Sequence, residues 1–158
     1  KLKAMGIKSV LNLRGAAGAA HFLVEEESCR TLGLHLVNVN LNARTAASSA
    51  EILQVIEAFR TIERPFVMHC KSGADRAGFA AAIYLFVIEG RQLAEARKML
   101  SAKYIHFKWT KTGILDYIFD LYAARNERSA ISFEDWIATE YDYIAVQEEF
   151  LQKKKPIF

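Results

Sequence analysis

The sequence predicts an α/β fold in which a small parallel sheet is flanked by helices and followed by a helical C-terminal half. Three observations predict it. Short apolar runs alternate with amphipathic stretches in the first half of the chain. A buried-type strand, a glycine-containing loop and a helix then follow one another directly, and from Leu93 onward the apolar spacing is helical.

Residues 7–13 (Ile-Lys-Ser-Val-Leu-Asn-Leu) form the first predicted strand, ending in the small-residue loop Arg14-Gly15-Ala16-Ala17-Gly18. A helix over 25–32 is closed by Gly33, and a second strand over 34–39 runs into a polar, irregular stretch over 40–47. Ser48 and Glu51 then make a capping box for a helix over 50–61 whose apolar face is Ile52, Val55, Ile56 and Phe59. Pro65 separates it from Phe66-Val67-Met68-His69, a run typical of a buried parallel strand, and residues 77–89 are helical up to Gly90. The remaining helical patterns cover 93–100, 113–124 and 133–150, the last of them broken.

The chain has 158 residues, of which 52% are hydrophobic and 11% aromatic, ample for the core of one domain over 1–158. Because the chain opens almost directly into a strand pattern, an upstream segment is expected to be missing from it. Localisation stays open between the cytoplasm and, if a signal or anchor has been removed, the periplasm. The longest apolar run, 77–88, is too short for a membrane span and predicts a buried core helix. The net charge of +3 suits an anionic substrate, whereas nucleic-acid binding lacks a basic stripe or aromatic-basic motif. Lys153-Lys154-Lys155 is expected to be a solvated tail.

The chemistry centres on Cys70 to Arg76. A phosphate dianion needs converging donors, and a loop between a buried strand and a helix N-terminus supplies backbone N–H groups together with the positive end of the helix dipole. Lys71, Ser72, Gly73, Ala74, Asp75 and Arg76 occupy that place. The same field stabilises a thiolate, so Cys70 is expected to ionise well below the ordinary thiol value of about 8.5 and to act as a nucleophile. Gly73 lets the loop turn inward, and the planar fork of Arg76 matches two phosphoryl oxygens where a lysine fits less well. Without the motif, Cys70 reads as a buried, inert thiol.

The segment His69-Cys70-x-x-Gly73-x-x-Arg76 resembles the signature loop of the cysteine-dependent protein tyrosine and dual-specificity phosphatases. With four fixed residue types each used at about 5%, a chance match arises roughly once in a thousand chains. The opening Gly6-Ile7-Lys8-Ser9-Val10-Leu11-Asn12-Leu13-Arg14 is similar to the first strand and Arg-bearing loop of many small members, and the resemblance spans about residues 5–105. The loop Cys-Lys-Ser-Gly-Ala-Asp-Arg resembles that of a bacterial subgroup. The resemblance implies a dual-specificity-phosphatase-like fold and a phosphomonoesterase working through phosphocysteine, with no cofactor and no metal. It also implies phosphate, sulfate or vanadate bound in the loop, and a phosphorylated protein or inositol lipid as substrate.

Two departures stand out. Members of the family usually carry a general-acid aspartate on a separate loop well before the cysteine, which falls here within Asn38-Val39-Asn40-Leu41-Asn42, and no aspartate precedes Asp75 in the chain. Asp75 is the leading replacement, because myotubularin-like and some bacterial phosphatases resemble this chain in having Asp directly before the signature Arg. The alternative is that Asp75 caps the following helix or pairs with a neighbouring base. The second departure is Ala77, where Ser or Thr is usual as a donor to the cysteine sulfur, so breakdown of a phosphocysteine is expected to be slow.

Lys71 and Arg44 are candidates for contacting further substrate charge, since a Lys directly after the nucleophile resembles phosphoinositide phosphatases. Arg14 faces the same rim, with a structural pairing as the simpler role. His69 is expected to orient the loop. His21, His35 and His106 have no metal-ligand spacing and read as ordinary surface or core histidines, while Cys29 reads as half-buried on a helix. The rival classes are a phosphate-binding pseudophosphatase without an effective acid and a sulfur- or arsenate-handling thiol enzyme, for which Cys29 is the available second thiol.

Overall fold

The computed structural model describes residues 1–15 and 17–154; Ala16 of the small-residue loop and Lys155 of the lysine triplet lie outside them. Three strands, β1 (Ser9–Asn12), β2 (His35–Asn38) and β3 (Phe66–His69), form a parallel sheet in the order β2-β1-β3. Its register aligns Val10, Leu36 and Val67 in one row and Leu11, Val37 and Met68 in the next. Because side chains alternate along a strand, these rows face opposite ways. The first packs with Cys29 and Leu34 beside α1 (Ala20–Leu32), and the second joins the main core.

That core is built from α2 (Ser49–Thr61), α3 (Asp75–Ile83) and the helices after them. The expected apolar face of α2, Ile52, Val55, Ile56 and Phe59, is wholly buried. The helical half comprises α4 (Leu93–Ala96), α5 (Ile114–Arg128), α6 (Phe133–Thr139) and α7 (Tyr143–Lys153), with the expected break falling between α6 and α7. Phe119 of α5 couples this half to the sheet layer, its ring lying 5.2 Å from Phe79 of α3 and 5.5 Å from Phe133 of α6. Among the described residues no helix is long and apolar enough to cross a membrane.

Several boundaries differ from expectation for physical reasons. Helix α1 begins at Ala20 instead of residue 25, because its N-cap, Ala19, has no capping side chain to mark the start. Helix α3 begins at Asp75, which draws Arg76 into its first turn, and gives way to a π-helical segment, Tyr84–Ile88, before Gly90. Tyr84 there meets the rings of Phe59 and Phe66 at 5.1 and 5.7 Å. Of the lysine triplet expected to be a solvated tail, Lys153 and Lys154 make contacts: Lys153 Nζ donates to the Tyr117 hydroxyl at 2.8 Å and Lys154 Nζ to the Trp109 carbonyl at 3.0 Å.

The capping box of α2 is present and does more than cap. Glu51 Oε2 accepts from the Ser48 backbone N–H at 2.8 Å, and Ser48 Oγ accepts from the Glu51 N–H. Glu51 Oε1 accepts from Asn40 and Asn42 at 3.2 and 2.8 Å, which ties the loop after β2 to the helix. Glu51→Ala is therefore expected to lower the unfolding free energy by about 2 kcal/mol, combining a lost cap with lost charge-assisted hydrogen bonds. Urea denaturation checks this, and a loss below about 0.5 kcal/mol would contradict the bracing role.

Candidate active site

The three parallel strands end on the same side, and the loops leaving those ends carry Arg14, the segment 40–44 and Cys70. His69 pairs with Asn12 in the register, two positions along from Val67, and so points toward α1. Its Nε2 lies 2.5 Å from Glu25 Oε1 but outside hydrogen-bond geometry, while its Nδ1 is 3.2 Å from the Cys70 carbonyl. Cys70, one residue on, turns to the opposite side and is 8% exposed.

The loop then folds around the sulfur. Gly73 has a φ of 72°, with open space where a Cβ would lie, so glycine is needed there for its conformation and not for room. Burial pushes the Cys70 thiol up, but backbone N–H groups of Ala77, Ser72 and Gly73 and the charge of Arg76 outweigh it, and the net shift is downward. Ala77 thus supplies its backbone donor where the usual side-chain hydroxyl is absent. Cys29 differs: burial and the nearby Glu25 charge push its thiol up. Both cysteines are free, and they sit in separate hydrophobic clusters.

Above Cys70 lies a cavity of about 340 Å³ lined by Leu41, Asn42, Ala43, Arg44, Lys71, Ser72, Asp75, Arg76 and Thr112. Arg44, Lys71 and Arg76 have no carboxylate partner among the described residues, so the cavity holds three unneutralised cations. A second cavity of about 410 Å³ shares Arg44, Asp75 and Thr112 with the first and adds Ile105, Phe107, Thr110 and Lys111. Arg14 does not line either cavity, and its backbone bridges to Asn40.

Among the described residues lining the cavity above Cys70, Asp75 is the acidic one, and its side chain is 28% exposed. The N-cap of α3 is Ala74, which makes no side-chain cap bond; the Asp75 carboxylate instead meets His106 Nδ1 at 2.8 Å. The other ring nitrogen of His106 is 2.7 Å from Asp116 Oδ2 in the first turn of α5. His106 is buried, which fits the core alternative expected for it, but its two carboxylate contacts set it apart from an ordinary core histidine. Its contact with Asp75 spans 31 positions and follows no ligand spacing, so no local signal marked it.

The backbone around His106 is constrained to bring it inside. After the turn Ala102–Tyr104, Ile105 takes a left-handed φ of 60° and the His106 N–H closes on the Ser101 carbonyl at 3.1 Å. A side chain in that region costs about 1–2 kcal/mol. Ile105 remains 69% exposed while His106 turns inward. At the entry to α5, a Cβ on Gly113 would sit 1.8 Å from the Lys108 carbonyl oxygen, so only glycine permits this approach.

With this geometry in place, a family model described as "Swiss Army Knife protein, DSP-PTPase phosphatase domain" matches residues 1–112. The chain belongs to that family. It is a cysteine-dependent phosphatase of the protein tyrosine and dual-specificity superfamily. The structure of P. aeruginosa TpbA superposes with a TM-score of 0.51 at 18% identity, covering 95% of this chain and 77% of that one. Tk-PTP in its active form gives 0.54 at 21% identity, with 80% and 82% covered. The core catalytic domain of the PP-IP phosphatase SIW14 from S. cerevisiae gives 0.50 at 15% identity, with 98% and 80% covered. No curated protein matches the sequence.

The opposite displacements of the two thiols are directly measurable. Iodoacetamide is expected to alkylate Cys70 at neutral pH and leave Cys29 largely unmodified, with Cys70 losing reactivity as pH falls through its depressed titration and inorganic phosphate slowing the reaction. Peptide mass spectrometry reads both sites, and faster labelling of Cys29 would contradict the assignment.

Proposed function

We propose that this phosphatase hydrolyses phosphomonoesters through a phosphocysteine on Cys70. The observation that carries the reading is the conjunction, in one cavity, of a thiol driven toward thiolate by three backbone donors and an arginine with no carboxylate partner among the described residues. The sulfur attacks phosphorus, the S–P bond forms, and the P–O bond breaks with its electron pair leaving on the ester oxygen. Amides of Lys71 through Arg76 and the Arg76 fork hold the equatorial oxygens. Asp75 gives its proton to the leaving oxygen; as a carboxylate it then takes a proton from the water that cleaves the S–P bond. Donors from the chain itself answer the phosphate charge, so the reaction is expected to run without added metal.

Lys71 and Arg44 add positive charge beyond the loop's own, and Lys111 extends it into the adjoining cavity. This arrangement supports a substrate with more than one phosphate, such as an inositol phosphate, over a bare phosphotyrosine peptide. SIW14, which shares the fold, is a PP-IP phosphatase.

Hydrolysis of an aryl phosphate is expected to persist with chelator and to be inhibited competitively by vanadate. Cys70→Ser is expected to abolish turnover while inorganic phosphate still binds, because the sulfur makes the bond and the amides make the site. Arg76→Lys is expected to lower turnover about a hundredfold or more, since a point charge does not replace the fork. Dependence on divalent metal, or turnover surviving in Cys70→Ser, would refute the proposal. A salt-insensitive preference for a phosphotyrosine peptide over an inositol polyphosphate would refute the substrate assignment.

A further inference from the structure

His106 and Asp116 have no part in the steps above, yet both ring nitrogens of this histidine face carboxylate oxygens, Nδ1 at 2.8 Å from Asp75 Oδ1 and Nε2 at 2.7 Å from Asp116 Oδ2. The His106 side chain is 1% exposed. The ring is thus held through both nitrogens, which fixes the edge it presents to Asp75. Asp116 sits in the first turn of α5 and is the less exposed of the two acids.

On the reading of Asp75 as the general acid, we propose that His106, braced through its other ring nitrogen by Asp116, positions Asp75 and stabilises by hydrogen bonding the carboxylate left when Asp75 gives its proton to the leaving oxygen. The Nδ1 bond fixes Oδ1 and leaves Oδ2 for the cavity and the leaving group. In the transfer the Asp75 O–H bond breaks, the ester oxygen gains the proton, and negative charge appears beside the His106 ring. That charge would otherwise grow next to a phosphate dianion bound over Cys70. His106 is a positioning residue in this account, since it acts on the substrate through Asp75.

Other charges surround the cluster. Arg44, Arg76 and the Cys70 sulfur line the same cavity as Asp75, and Lys111 lines the adjoining one. Arg97, in the segment after α4, reaches the Asp116 backbone carbonyl at 3.4 Å, but its guanidinium pairs with Asp120 at 2.6 Å. Among the described residues, His106 is the side chain within hydrogen-bond distance of the Asp75 carboxylate.

The test compares pH profiles of kcat/KM for phosphoserine, an alkyl phosphate that needs a proton to leave, and p-nitrophenyl phosphate, which leaves with little help. His106→Asn keeps a donor near the Nδ1 position but breaks the bridge from Asp75 to Asp116. It is expected to slow phosphoserine about ten- to a hundredfold, to move the high-pH limb of that profile upward, and to change p-nitrophenyl phosphate much less. Asp116→Asn is expected to act in the same directions more weakly. A folded His106→Asn protein with the wild-type limb and the wild-type ratio between substrates would overturn the proposal. If that variant does not fold, an unchanged limb in Asp116→Asn overturns it instead. Asp75→Asn separates the two readings: selective loss on phosphoserine upholds the acid, whereas equal losses on both substrates sink the acid assignment itself.

Discussion

Negative charge held at the end of β3, which is a half-buried edge strand and not the buried strand its apolar run predicts, is the constraint around which this molecule is organised. On the proposed chemistry, a thiolate on Cys70 and a phosphate above it both require donors at a buried sulfur. The chain meets that need with backbone groups, because amides of a loop entering a helix point inward without the entropy of long side chains. The parallel register matters for the same reason. It fixes His69 on the α1 side of the sheet and sends Cys70 to the other, so that the sulfur faces the loop and the main core.

The helical half fits the same logic. Phe119 packs α5 between α3 and α6, and the close approach of Gly113 to Lys108 sets where α5 begins. Asp116 therefore arrives beside His106, and His106 beside Asp75, from a part of the chain that contributes no residue to the signature loop. The strained turn at Ile105 is consistent with a backbone held to place the next residue rather than to suit its own side chain. The site is thus assembled from both halves of the fold.

What was legible in the sequence was local. The signature loop, the capping box of Ser48 and Glu51, and the apolar face of α2 each span a short stretch of sequence, and each appears where the pattern places it. The start of α1 was hidden because Ala19 offers no capping side chain, and the contacts of Lys153 and Lys154 depend on how α7 returns over the loop holding Trp109. Asn40 and Asn42 stood out only as the place of a missing acid, although their amides serve Glu51. His106 was the largest omission: it has no motif of its own and gains meaning from two carboxylates brought to it by tertiary packing.

The central claim is that Cys70 forms a covalent bond to phosphorus, and acid-quenched turnover followed by peptide mass spectrometry tests it most directly. Ala77 offers the sulfur no side-chain hydroxyl, which should slow breakdown of the intermediate and favour its accumulation. The account predicts that the peptide containing Cys70 is found heavier by one phosphoryl group during turnover of an aryl phosphate, and that the adduct disappears once substrate is exhausted. Turnover with the phosphoryl group on another residue, or with no adduct on Cys70 in a rapid-quench series that resolves the first turnover, would contradict it.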